Sequence, residues 1–247
     1  MAFNYLLSTY IYLLFIVLML LAFLTALPGA AVARVIGGDP RRAFQWVVQH
    51  YWRLFLRMSP LIGSITVHRK ENLNTTVPAV YAVSHQSSLD FVLIGSMVDN
   101  FASISNHPIS DFWLFFKVPR LVGVYYMKRE DPNASIAVYN RLGNALDRGV
   151  SVFLFPEGTR NYSPQLKPFQ KGAFRLASEH NVPVVPVVIQ GTGRIVTKGS
   201  NLNKTFRRTD ISVTFLDPVV PGPEEKVRDL SARVREAMQA ELERSFV

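Results

Sequence analysis

The chain of 247 residues contains no cysteine. That single absence removes disulfides, thiolate metal ligation and a cysteine nucleophile. Acidic side chains are also scarce, with 18 Asp and Glu against 27 Lys and Arg, so the formal net charge is +9. An excess of this sign favours an anionic partner such as nucleic acid, a lipid surface or a phosphorylated substrate, and the sign alone does not choose among them. The chain has no G-x-S-x-G stretch, the mark of a strand-to-helix serine nucleophile. It has no internal repeat and no low-complexity segment, and no grouping of side chains with metal-ligand spacing, so no metal site is expected.

Charge is missing altogether from the first 33 residues, and Tyr5 to Leu27 is an almost unbroken apolar run. At 1.5 Å rise per residue a helix of this length crosses a hydrocarbon core of ~30 Å. Arg34, Arg41 and Arg42 lie on its C-terminal side and no Lys or Arg lies on the other. The positive-inside rule then puts the rest of the chain on the cytoplasmic face of the membrane. Two rivals remain: a signal peptide, because "ALPGAAVAR" carries an A-x-A-like site, and a hydrophobic helix lying in the interface without crossing.

Asp39-Pro40 has the form of an N-cap followed by proline at the first helical position. Phe44, Val47, Val48, Tyr51, Trp52, Phe55 and Met58 then recur at helical spacing, which predicts an amphipathic helix over residues 40–58. Its other face holds Arg42, Gln45, Gln49, His50, Arg53 and Arg57, with Trp46 among them. Such a helix rests on anionic headgroups or, equally, packs on a core with a solvated basic face. Residues 1–59 are therefore read as an anchoring segment, and 60–247 as one catalytic domain.

From residue 63 onward, short β-branched runs alternate with helical stretches. Ser64 to His68, Ala79 to Ser84, Leu121 to Met127, Val150 to Phe155, Val184 to Gln190 and Ile211 to Leu216 read as strands. Asn133 to Arg148, Phe169 to Glu179 and the tail from Pro223 to Phe246 read as helices. The pattern predicts an α/β fold with a single mixed, largely parallel sheet flanked by helices, whose ligands gather at the carboxyl ends of the strands.

The polar motifs fall at those ends. The second strand runs into "SHQSSLD", with His85 and Asp90 five residues apart. With Ser87 or Ser88 as N-cap, His85 sits in the strand-to-helix turn and Asp90 in the first helical turn. A carboxylate on one imidazole nitrogen leaves the other as a general base, an arrangement worth ~10²–10⁴-fold in rate. Read alone, such a pair is more often a turn histidine beside a residue complementing the helix dipole.

After the fourth strand comes "FPEGTRN". Pro156 stops the strand, Gly158 lets the backbone approach a ligand, and Arg160 offers a two-pronged grip on phosphate or carboxylate. Glu157 can orient Arg160 or a substrate hydroxyl; the bland alternative is a surface ion pair between the two. Lys128 and Arg129, closing "GVYYMKR", and Lys171 in "FQKGAF" add cations near the same edge. Several cations at strand ends of one sheet point to a phosphate site.

With these residues in view, the sequence resembles the glycerolipid acyltransferase family with its H-x4-D motif, bacterial 1-acylglycerol-3-phosphate acyltransferases in particular. "SHQSSLD", "GVYYMKR", "FPEGTRN" and "VPVVPV" match four blocks in order, over roughly residues 60 to 220. The resemblance implies acyl transfer from coenzyme A or acyl-carrier-protein thioester to the free hydroxyl of lysophosphatidate, without a covalent acyl-enzyme and without a further cofactor. It implies that His85 deprotonates the hydroxyl, that Asp90 holds the imidazole, and that Arg129, Glu157, Gly158, Thr159 and Arg160 bind the acceptor's phosphate. Pro186 would shape the strand near the acyl site. The partners implied are a lysophospholipid, an acyl thioester and membrane lipids.

Two departures stand out. Many relatives carry a lysine after the strand near Ile104, where this chain has Asn106 and His107, and the segment between Phe116 and Arg129 is short and basic. Both bear on the acceptor headgroup. Another lysophospholipid or a lyso-aminolipid acceptor is therefore a competing expectation, and a non-catalytic lipid-binding protein is a third, which the intact His85, Asp90 and Arg160 disfavour. Nucleic-acid binding is not expected, because the arginines and aromatics gather beside the apolar run and not on one recognition element. His50, His68 and His180 are assigned no chemistry.

Overall fold

A computed structural model describes residues 2–73, 77–105, 121–127, 130–195 and 208–244, with side chains from Leu6 onward. Two helices come first, α1 (Ala2–Val35) and α2 (Pro40–Met58). Then follow β1 (Ile62–His68), β2 (Val80–Val83), α3 (Leu89–Gly95), β3 (Phe101–Ser105), β4 (Val124–Tyr126), α4 (Pro132–Asp147), β5 (Ser151–Leu154), α5 (Gly172–Glu179), β6 (Val184–Gln190), the single turn α6 (Thr192–Ile195), β7 (Thr209–Phe215) and α7 (Val227–Arg244). The seven strands form a mixed, largely parallel sheet in the order β1-β7-β6-β2-β5-β3-β4.

The chain divides into two compact units. One comprises Met1–Thr66, Gln86–Asn100 and Gln190–Ile211; the other comprises Val67–His85, Phe101–Ile189 and Ser212–Val247.

In the first unit, Asp39 caps α2 as its residue type dictates, its Oδ1 accepting the backbone N–H groups of Arg41 and Arg42 at 2.9 and 3.3 Å. α1 and α2 pack along one another, with Phe15 edge-on to Phe55 and Phe23 edge-on to Phe44, ring centroids 5.2 and 5.6 Å apart. The rest of α1 remains exposed, including Leu6, Leu13, Leu20 and Leu24. α2 turns its other apolar side to α3. Trp52 meets Phe91 edge-on, and the buried Gln49 donates from Nε2 to the carbonyls of Gly95 and Val98 at 2.9 and 2.7 Å. Those two bonds satisfy an amide that burial would otherwise penalise by ~1–3 kcal/mol.

The second unit is built on parallel pairing. β2 lies between β6 and β5, with Ala82 opposite Pro186 on one side and Leu154 on the other, and β3 lies between β5 and β4. Every residue of β2 and nearly every residue of β6 is buried, as expected of strands covered on both faces. Val80, Ala82, Val152 and Val184 share a core with Leu142 and Leu146 of α4, Phe174 and Leu176 of α5, and Leu230, Val234 and Met238 of α7.

Elements and expectations differ in several places, among them α1, which continues through Pro28 to Val35 where the apolar run was read to Leu27. β3 is not among the six strands read from the residue pattern, and only the family resemblance placed a strand near Ile104. The helix expected from Phe169 begins at Gly172, because the Gln170 N–H is drawn to the Pro156 carbonyl at 2.7 Å. Of the strand expected over Leu121 to Met127 only Val124–Tyr126 pairs, because Gly123 takes φ +90° and Leu121 and Val122 form a helical turn before it.

Candidate active site

β2 and β5 are neighbours in parallel register, so the segments leaving their carboxyl ends emerge side by side. His85 is two residues past the end of β2, half-buried, with its ring stacked on Phe155 at 4.1 Å and 22°. Two main-chain contacts fix it to the segment after β5. The His85 N–H donates to Glu157 Oε1 at 3.4 Å, and its carbonyl accepts the Asn161 N–H at 2.7 Å.

Glu157 is buried, and its other oxygen, Oε2, accepts from Asn161 Nδ2 at 2.7 Å and from the Lys167 N–H at 3.0 Å. Both carboxylate oxygens are thus engaged by protein donors, which is what a buried charge requires. Of the alternatives read for Glu157, contact with Arg160 gives way to this internal network. Asn161, also buried, donates a second Nδ2 bond to the Gln165 carbonyl and accepts the Ser163 N–H, so one side chain braces the whole turn. The sequence signal was available in the asparagine closing "FPEGTRN", but its partners lie in a loop with no periodicity to read.

Gly158 takes φ +67°, a region that L side chains rarely adopt, and its N–H closes the turn onto the Phe155 carbonyl at 2.9 Å. Thr159 is exposed and Arg160 half-buried beyond it, with Lys167 Nζ donating to the Arg160 carbonyl at 3.0 Å. Lys171 is exposed at the entry to α5. Arg129 lies outside the described residues, as do Lys128, Asn106 and His107.

In the first unit, Asp90 is the second residue of α3 and fully buried. Ser87 does the capping, its Oγ accepting the Leu89 N–H at 3.3 Å, while Ser88 at the cap position makes no side-chain bond. Asp90 reaches back over this turn. Its Oδ2 accepts the N–H groups of Gln86 and Ser87, each at 2.7 Å, and its Oδ1 accepts from Thr192 Oγ1 at 2.5 Å. Thr192 was not among the residues read from the sequence; it stands two residues after β6 in "QGTG". Among the described residues no group of three or more His, Asp and Glu side chains is disposed to hold a metal.

The protein family described as Acyltransferase matches residues 64–190. The 1-acyl-sn-glycerol-3-phosphate acyltransferase of Haemophilus influenzae is 32% identical over 193 residues, covering 76% of this chain and 78% of its own. The chloroplastic enzymes of the same name from Brassica napus and Arabidopsis thaliana are 39% and 37% identical over 150 and 164 residues, 60% and 66% of this chain. The chain spans a little under half the length of those two, 43% and 46%. The crystal structure of the 1-acyl-sn-glycerophosphate (LPA) acyltransferase PlsC from Thermotoga maritima superposes with a TM-score of 0.79 at 22% identity, over 99% of this chain and 96% of that one. That likeness is one of fold.

Proposed function

Since this chain belongs to the acyltransferase family, we propose that it transfers a fatty acyl group from an acyl thioester to the free hydroxyl of lysophosphatidate, giving phosphatidate. The observation that carries the reading is His85 at the end of β2, stacked on Phe155 and tied through its own N–H and carbonyl to the Glu157–Asn161 turn. A base held at its main chain from both sides presents its imidazole at a fixed place, which is what proton abstraction from a bound hydroxyl needs.

In this reading His85 takes the acceptor's proton as the oxygen attacks the thioester carbonyl. The tetrahedral intermediate collapses with release of the thiolate, and the proton passes from His85 to that sulfur. Asp90 supports the imidazole, and no acyl group is attached to the protein. Arg160, with Arg129, Thr159 and Lys171, meets the acceptor phosphate through charge and hydrogen bonds. Glu157 and Gly158 serve this group through the turn they build, because the carboxylate is spent on His85, Asn161 and Lys167 and the Gly158 N–H on Phe155.

The first unit supports a membrane setting for the same reading. α1 is long and apolar enough to cross a bilayer, and its exposed leucines are costly in water. α2 places Trp46 and Arg42 on its exposed side, the residue types that settle at headgroup level. Residues 60–247 would then work at the cytoplasmic face of that membrane.

The test is thiol release from long-chain acyl-CoA in lipid vesicles, with lysophosphatidate, other lysolipids or no acceptor, each repeated with His85→Ala. Release that requires lysophosphatidate and falls ~10²–10⁴-fold in the variant supports the proposal. Release with a different lysolipid moves the acceptor and keeps the chemistry. Silence with acyl-CoA and with acyl-carrier protein alike, or full activity in His85→Ala, overturns it.

A further inference from the structure

A buried carboxylate is tolerated when donors surround it, and the donors to Asp90 include the N–H groups of Gln86 and Ser87 and the hydroxyl of Thr192. Their distribution is uneven. Two come from its own turn, the N–H groups of Gln86 and Ser87, and both land on Oδ2. They locate one oxygen of the carboxylate, whose Cβ–Cγ torsion is intrinsically broad for aspartate. Thr192 Oγ1 donates to the other oxygen, Oδ1, and a bond on each oxygen defines the plane of the carboxylate.

Thr192 is itself held for this purpose. It is fully buried, so its hydroxyl has no water to turn to, and its β-branch restricts χ1. Gly191 just before it takes φ +95°, and a Cβ there would strike the carbonyl oxygen of Asp210, so only glycine carries the chain into Thr192 along this path. Gly193 just after it donates its N–H to Gln86 Oε1 at 3.5 Å, a second link to the same turn. The partners Asp90 and Thr192 are 102 residues apart in sequence.

We propose that Thr192 is a positioning residue of the acyl transfer, fixing the plane of the Asp90 carboxylate through its hydroxyl. The inference rests on the reading in which Asp90 supports the base His85. It predicts a rate role beyond the structural one: the hydroxyl orients a group that works in the transition state, and its removal lowers kcat while substrate binding is untouched.

The experiment compares Thr192→Val, which keeps the shape and removes the donor, with Thr192→Ser, which restores the donor. His85→Ala and Asp90→Asn run beside them in the full-length protein in vesicles. Thr192→Val is expected to lower kcat about 10–100-fold, the rate equivalent of a hydrogen bond to a charged group, with KM for thioester and lysophosphatidate unchanged. Thr192→Ser is expected to stay within about threefold of the parent. In an Asp90→Asn background the valine change should lower kcat no further, since the two act as one unit.

Thr192→Val at parental kcat, with His85→Ala and Asp90→Asn reduced to a residual rate, overturns the inference and leaves the proposed function standing. Activity retained in both His85→Ala and Asp90→Asn overturns the proposed function, and the inference falls with it. If the valine variant does not fold, Thr192→Ala, which also removes the donor, carries the test: a lowered kcat at constant KM supports the role, and parental kcat overturns it.

Discussion

Asn161 donates its side-chain amide to Glu157 Oε2 at 2.7 Å, with both residues buried. The same asparagine gives its backbone N–H to the His85 carbonyl, and the same glutamate takes the His85 N–H. The two residues form a clamp on the main chain of the proposed base, and the first prediction concerns it.

Asn161→Ala leaves the Glu157 carboxylate short of a donor and is expected to cost ~1–3 kcal/mol. Asn161→Asp should cost more, because it sets a second carboxylate against the first in a buried place. Urea denaturation measures both, and an alanine variant as stable as the parent would show that the clamp is not held by this amide.

Gly95 of α3 faces Trp52 of α2 so closely that a Cβ would meet the indole ring. Gly95→Ala is expected to destabilise by ~1–3 kcal/mol through overpacking. Pairing it with Trp52→Leu should recover part of that loss, giving a coupling in a double-mutant cycle that isolates the α2–α3 contact.

Glu225 accepts from Arg233 Nε and Nη2, each at 2.8 Å, and from the Gly222 N–H at 3.0 Å. The Arg233 guanidinium first, and the Gly222 N–H second, hold its carboxyl below the ordinary glutamate range. A carboxyl depressed in the folded state stabilises the fold at pH above its unfolded value of ~4.3 and loses that contribution as pH falls through the lower folded value. Glu225→Gln should therefore flatten the fall in Tm between neutral and acid pH. The effect is under ~1 kcal/mol, since the pair is at the surface and salt-screened. Thermal melts from pH 7 down to pH 3 check it; an unchanged acid slope would remove the assignment.

Leu13, Leu20 and Leu24 are exposed on α1. Replacing all three with glutamine is expected to leave the circular dichroism of the folded chain unchanged and to weaken co-sedimentation with phospholipid vesicles at least ~10-fold, because burial of each leucine in the acyl boundary is worth ~1.5–3 kcal/mol. Undiminished vesicle binding would shift the membrane contact away from α1.

How much of this was legible varied with the kind of signal. The bounds of α2 were read to the residue because Asp39 and Pro40 mark its start chemically, whereas Gln45 and Gln49, read onto its polar face, are buried. β6 was read to the residue because a long β-branched run buried on both faces has no competing pattern. β3 was placed by the family resemblance and not by its own residues, because "FASIS" is short and mixes small with large side chains, and its strand character comes from pairing with β5 and β4.

The site divides along the same line. The sequence by itself determined which chemical groups are present, His85, Asp90, Glu157 and Arg160 in their motifs, and that His85 and Glu157 each follow a strand. Only the tertiary structure decided that Glu157 would turn inward to His85, Asn161 and Lys167, and that Asp90 would meet Thr192. Local spacing encodes helix faces and strand ends, whereas partners 72 and 102 residues apart are set by where distant chain segments are brought to rest. A buried carboxylate takes whichever donors it finds there.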